Sequence, residues 1–125
     1  MTVGISIDVD LTGPFFDGRT ERNIRRALAD TVQDVVERSE GMVKAQLYPG
    51  HGLVTGNLRR SVAGERRGAL NAIVATNAVY GPWIEGTSPR NQTTRFKGYA
   101  MFRRTRQALQ KMVPRLLIKH LRRRL

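Results

Sequence analysis

Val3, Ile5, Ile7 and Val9 alternate with Gly4, Ser6, Asp8 and Asp10 at the start of the chain. A period of two marks a strand with one buried face, and the pattern predicts a strand over 3–11. Gly13-Pro14 breaks it, and Phe15 and Phe16 follow as candidates to plug the core. From about Thr20 to Leu47 the period lengthens. Ile24, Leu28, Val32, Val35, Val36, Val43 and Leu47 recur three and four residues apart, and Arg22, Arg25, Arg26, Asp30, Asp34, Glu37 and Arg38 fill the other positions. This predicts one amphipathic helix, with Thr20 as N-cap, Glu21 in the first turn and Pro49-Gly50 as the stop. Gly41 weakens it by ~1 kcal/mol relative to Ala. At 1.5 Å per residue the helix is about 40 Å long. Part of it is therefore expected to reach beyond the core or onto a neighbouring subunit.

Residues 49–57 are a glycine-rich loop. Leu58 to Ala63 reads as a strand with Leu58 and Val62 inward, 64–68 as a charged turn and 69–76 as a second short strand, so an antiparallel hairpin is expected. Pro82 suits the start of a helical turn and Gly86 its C-cap. Residues 87–98 lack apolar periodicity and read as a long loop that only a partner would order. From about Tyr99 onward, Phe102, Leu109, Met112, Val113, Leu116, Leu117 and Leu121 return to helical spacing, and Pro114 is expected to kink or divide that helix.

The elements add up to an α+β fold. A small antiparallel sheet from 3–11, 57–64 and 70–77 packs against the long helix, and a C-terminal helix kinked near Pro114 lies alongside or reaches outward. At 125 residues the chain suits a single domain, divided into a body (1–86), a basic loop (87–98) and a basic helix (99–125).

Charge sharpens this division. All ten acidic residues lie at or before Glu85, where ten Lys and Arg balance them; residues 86–125 hold twelve Lys and Arg and no acid, which is the whole net charge of +12. Such a block calls for a polyanion, an acidic protein surface or a membrane surface. The alternative is a solvated basic face without a specific partner. The chain has no cysteine, which excludes disulfides and thiol chemistry. Its first residues lack the basic start and apolar run of a signal peptide, and no stretch approaches the ~20 apolar residues that span a bilayer.

Catalytic chemistry finds little support. His51 sits in the glycine loop and His120 among arginines, neither with a partner at metal-ligand spacing. Asp8 and Asp10 share a strand face, which reads as the solvent side of an edge strand. Gly50, Gly52 and Gly56 are not followed by the Lys-Ser or Lys-Thr of a phosphate loop. The chain is expected not to be an enzyme, with no catalytic, metal or cofactor residue and no cofactor.

Three motifs stand in order: TGNLRRSV at 55–62, NAVYGPWIEGT at 77–87, and RFKGYAMFRRTRQAL at 95–109. In them the chain resembles the tail-completion or neck family of long-tailed bacteriophages, also labelled minor tail or head–tail joining proteins. Thr55, Gly56, Leu58, Arg59 and Ser61 match one family motif, and Tyr80, Glu85, Gly86 and Thr87 another. Glu85 and Gly86 are adjacent where family members often carry an intervening aromatic, and Tyr99-Ala100-Met101-Phe102 replaces the proline-containing lead into the last helix.

The resemblance implies a virion protein at the head–tail junction, made in the bacterial host cytoplasm. It would form a homo-oligomeric ring, a hexamer by analogy with other neck and tail components. The implied partners are the tail terminator, the tail tube or the head-closure protein, with packaged DNA as a further contact and no membrane. Tyr80, Trp83, Ile84, Glu85, Arg95, Phe96, Arg103 and Arg104 are candidates for an oligomer or partner interface, and Tyr80 and Trp83 could equally cap the core. Glu85 is expected to pair with an arginine of the basic third. Arg106, Lys111, Arg115, Lys119, Arg122, Arg123 and Arg124 are candidates to contact DNA or an acidic surface. The same segment leaves two other readings open: a stand-alone nucleic-acid-binding protein, although it shows no helix-turn-helix with the expected turn, no zinc finger and no aromatic RNA-binding signature, and a membrane-active tail.

Overall fold

The computed structural model describes residues 3–10, 18–47, 55–78 and 80–125, with side chains at 55–57 excluded. In chain order these form β1 (Val3–Asp8), α1 (Gly18–Gln46), α2 (Thr55–Ser61), β2 (Ala63–Arg66), β3 (Asn71–Thr76), α3 (Gly81–Glu85), α4 (Pro89–Thr93) and α5 (Met101–Arg124). The fold is α+β, as expected. The strands make one antiparallel sheet in the order β1-β3-β2, with Ile5 and Gly64 both opposite Val74. α1 lies across β2 and β3, and α5 runs along α1 beside β1.

The period-two reading of β1 holds. Ile5 is buried, Val3, Ile7 and Val9 are half-buried, and Gly4, Ser6, Asp8 and Asp10 are exposed. α1 divides its apolar residues between two layers. Val32, Val36 and Val43, with Leu47 just beyond the helix, join Ile5, Leu58, Val62, Val74, Ile84, Met101 and Phe102 in the main core. Val35 packs with Leu109 and Leu116 on the α5 side. Two buried hydroxyls on α1 are satisfied within the helix: Thr31 donates to the Ala27 carbonyl and Ser39 to that of Val35, the usual solution for such a residue inside a helix. Thr20 lies inside the first turn of α1, which begins at Gly18, so it is not the N-cap. The predicted stop at Pro49-Gly50, the loop around His51, the Gly13-Pro14 break, and Phe15 and Phe16 lie outside the described residues.

Three predicted elements differ. The segment 57–64, expected as a strand, is helical through Ser61, and the chain enters the sheet only at Ala63, so Gly64 to Arg66 of the expected turn is strand. Leu58 and Val62 are both fully buried while Arg59 and Arg60 are exposed. Residues i and i+4 share a face in a helix and in a strand alike, but a strand would put Arg60 on that same face, and Arg60 is exposed. The 87–98 loop contains α4. Ser88 caps it reciprocally with Asn91, and Pro89 occupies its first turn, a start signal that was present in the sequence. Finally, α5 is not divided at Pro114, which lies inside the helix. Its ring is exposed, so water can reach the carbonyl that loses its bond.

Gly86 ends α3 in the left-handed conformation at φ 107°, as expected of a C-cap, and Gly98 holds φ 92°. The two backbones touch. A Cβ on Gly98 would overlap Gly86, and one on Gly86 would overlap the Lys97 carbonyl. Gly98→Ala is expected to cost at least ~2 kcal/mol from strain and overlap. Gly41→Ala, where an added Cβ meets nothing within 4 Å, is expected to raise stability by up to ~1 kcal/mol. Urea denaturation of the two variants checks both.

Candidate docking surface

The first turn of α5 lacks a cap of its own. Its N-cap residue, Ala100, is left-handed at φ 53° and supplies no side-chain acceptor. The acceptor comes from α3. The buried Glu85 carboxylate accepts the backbone N–H of Phe102 at 2.8 Å and of Arg103 at 3.1 Å. The backbone reinforces the join, with Tyr99 N–H donating to the Ile84 carbonyl at 2.7 Å and Ala100 N–H to that of Glu85 at 3.0 Å. The expected pairing of Glu85 with an arginine side chain is therefore corrected. Its partners are two orphan amides of a helix start, where a carboxylate also meets the positive end of the helix dipole.

α5 runs antiparallel to α1, fastened at both ends. Near its start, Gln46 Nε2 donates to the Met101 carbonyl and to Thr105 Oγ1, at 3.2 and 2.7 Å. Near its end, His120 Nε2 lies 2.8 Å from Asp34 Oδ2, Lys119 Nζ lies 3.6 Å from the same oxygen, and Arg124 Nε lies 2.8 Å from Asp30 Oδ2. The electrostatics follow. Hydrogen bonding from Arg124 holds the Asp30 carboxyl below its ordinary range. Burial pushes Asp34 up, but hydrogen bonds from His120 and Arg38 and the charges of Arg38 and Lys119 outweigh it and leave it lowered. His120 thus has a packing role at the α1–α5 seam.

This seam sorts the basic residues of α5. Lys119 and Arg124 face carboxylates of α1. Arg103, Arg104, Arg106, Lys111, Arg115, Arg122 and Arg123 are exposed. Of the other interface candidates, Ile84 is buried in the core, Tyr80 and Trp83 are half-buried against it, and Arg95 is exposed. Phe96 joins a small aromatic group, 4.9 Å from Trp83 and 5.1 Å from Tyr99 between ring centroids, with the Arg90 guanidinium 5.2 Å over Trp83. Asn91 fixes this group from below, donating to the carbonyls of Trp83 and Phe96.

The first motif also acquires jobs. Leu58 fills the core, and Arg59 is exposed. Ser61 donates to the Leu58 carbonyl and lies 2.6 Å from the Thr76 hydroxyl, tying the end of α2 to the end of β3. Thr55 and Gly56 fall in the first turn of α2, and Thr87 is exposed beyond Gly86. Gln46, Asn91 and Thr105 were not singled out from sequence. The Gln46–Thr105 pair depends on which residues α1 and α5 bring opposite each other, which no local pattern encodes, whereas Asn91 acts locally, three residues after the Ser88 cap.

Among the described residues no group of three His, Asp or Glu is placed to hold a metal ion, and no helix is long and apolar enough to cross a membrane. Comparison with protein-family models, with curated proteins and with solved structures returns no match.

Glu85→Ala leaves the buried Phe102 amide and the part-buried Arg103 amide without their acceptor and is expected to destabilise by ~2–3 kcal/mol. Glu85→Gln, with one acceptor oxygen, is expected to lose less. Thermal melts of both variants test the cap. Asp34, Asp30 and Glu40 all have lowered folded-state pKa values. Their stabilisation is therefore present above about pH 4, where the unfolded chain's carboxyls ionise, and is lost as pH falls through the folded values. Asp34→Asn is expected to be less stable than the parent at about pH 7 and to converge with it near pH 2, as read by denaturant midpoints across that range.

Proposed function

We propose that this protein is a structural component of a tailed phage or prophage, completing the tail or neck at the head–tail junction by ring assembly and docking on neighbouring virion proteins. The observation that carries this reading is a helix free of acids, pinned along a neutral body, with all nine of its Arg and Lys residues exposed and seven of them outside any ion pair among the described residues. Fixed cations of this kind suit recognition of an acidic protein surface, because their geometry is set before the partner arrives. The ordered motifs at 55–62, 77–87 and 95–109 supply the choice of assembly. Trp83, Phe96 and Tyr99 add half-buried aromatic area beside the basic residues, a composition found at interface centres.

The exposed cations also favour a second reading, a nucleic-acid-binding protein acting alone. The two separate in one pair of measurements on the full chain. Sedimentation velocity, alone and with co-expressed tail-tube or terminator protein, is expected to give a discrete ring or a stable co-complex. Titration with generic duplex DNA is expected to give only weak binding at about 150 mM salt. A monomer that binds duplex DNA tightly, with affinity falling steeply as salt rises, would replace the first reading with the second.

A further inference from the structure

The two edges of the sheet are finished differently. In β2 the outward N–H of Gly64 donates to Glu40 Oε2 at 3.1 Å, and the Arg66 side chain reaches back to Gln33 on α1 at 3.0 Å. On that edge one outward N–H is thus already taken by a carboxylate of α1, and the Arg66 side chain turns back toward the helix. At the other edge, Val9 N–H donates to the Leu70 carbonyl, and Val3 to Asp8 pair with Thr76 to Asn71. The alternation of an antiparallel ladder then turns the N–H and C=O groups of Gly4, Ser6 and Asp8 away from β3. All three residues are exposed, and among the described residues no partner meets their outward backbone groups. Proteins normally blunt such an edge with lysine, proline, a bulge or a cover. β1 carries only Asp8, at its end.

The space beside this edge is shaped and charged. A groove of about 270 Å³ lies along Val3, Gly4 and Ile5 and is lined by Lys97, Arg103 and Arg106. Glu85 also lines it, but its oxygens are held by the Phe102 and Arg103 amides. A second groove of about 260 Å³ continues it, sharing Ile5 and Arg106 and lined by Ile7, Val9, Leu109 and Val113. Along β1 the groove thus changes from cationic to apolar.

From this juxtaposition we infer that β1 accepts a fourth strand, an extended segment of a different, acidic protein. Its backbone pairs with Gly4, Ser6 and Asp8. The side chains on its groove face are acidic beside Arg103 and Arg106 and apolar beside Leu109 and Val113. Strand addition draws affinity from main-chain bonds and specificity from alternate side chains. A second copy of this chain is the poorer occupant, since it brings another net charge of +12 and would set the same cations face to face. The inference rests on the edge and its grooves and is independent of the virion role.

The test uses a labelled eight-residue peptide alternating serine with two glutamates and then two valines, made in both sequence directions, with fluorescence anisotropy as the readout on the full chain. One direction is expected to bind. Ser6→Pro removes an outward N–H at an edge position that tolerates proline and is expected to abolish binding while circular dichroism and the melt stay near the parent. An N-methylated peptide, blocked along its pairing edge, is expected not to bind the unaltered protein. Arg103→Ala with Arg106→Ala is expected to weaken binding roughly three- to tenfold, and Lys111→Ala with Arg115→Ala to leave it unchanged. Failure of both peptides to bind overturns the inference, as does binding by the N-methylated peptide or equal weakening by the Lys111 and Arg115 pair. A parent dimer that Ser6→Pro converts to a monomer would also overturn it, by assigning the edge to a second copy.

Discussion

One buried carboxylate decides where a fifth of the chain goes. α5 begins at a left-handed residue with no cap of its own, and four amides at such a start need acceptors. Glu85 supplies two from the end of α3. It can do so only because Gly86 and Gly98 let the two backbones meet, with Ile84 and Glu85 carbonyls accepting from Tyr99 and Ala100. The cap thus fixes both the position and the direction of α5 relative to the sheet. Its placement on β1 and its alignment with α1 follow from that join.

The far end of α5 is held by a different kind of interaction. Asp30 and Asp34 meet Arg124, His120 and Lys119 across the helix pair. Partly exposed ion pairs of this type contribute little energy each, but together they favour the register that sets Asp34 against His120 and Asp30 against Arg124. The neutral balance of the first 85 residues and the acid-free remainder are therefore linked. Part of the body's acid is spent positioning the basic helix, and the cations left over face outward on a fixed scaffold. A surface ordered in advance loses less entropy on docking than a mobile basic tail would.

Much of this was legible in the residue pattern. β1, the length and buried face of α1, the C-cap at Gly86 and the helical end of the chain all follow from periodicity and local turn chemistry. The α+β class follows from their order. The errors have physical causes. Leu58 and Val62, four apart, satisfy a short helix or a short strand equally well, and only the exposure of Arg60 between them separates the two. Ser88-Pro89 was hidden by the polar run around it, although it carries a helix-start signal. The partner of Glu85 lies 17 residues away, and that of Asp34 lies 86 residues away. No local pattern specifies such pairings. Of the glycines that permit the first, Gly86 was recognised only as a helix C-cap and Gly98 not at all, and His120 only as a histidine without a metal-ligating partner.

The account stands on α5 being an integral part of the body, held at both ends. Amide hydrogen exchange on the free full-length protein at neutral pH and moderate salt measures this directly. The amides from Phe102 to Leu117 are expected to exchange as slowly as those at the centre of α1, with Phe102 and Arg103 protected despite lying in a first turn. Fast exchange along α5 while α1 and β3 stay protected would contradict it, and would make the basic third a loosely attached tail.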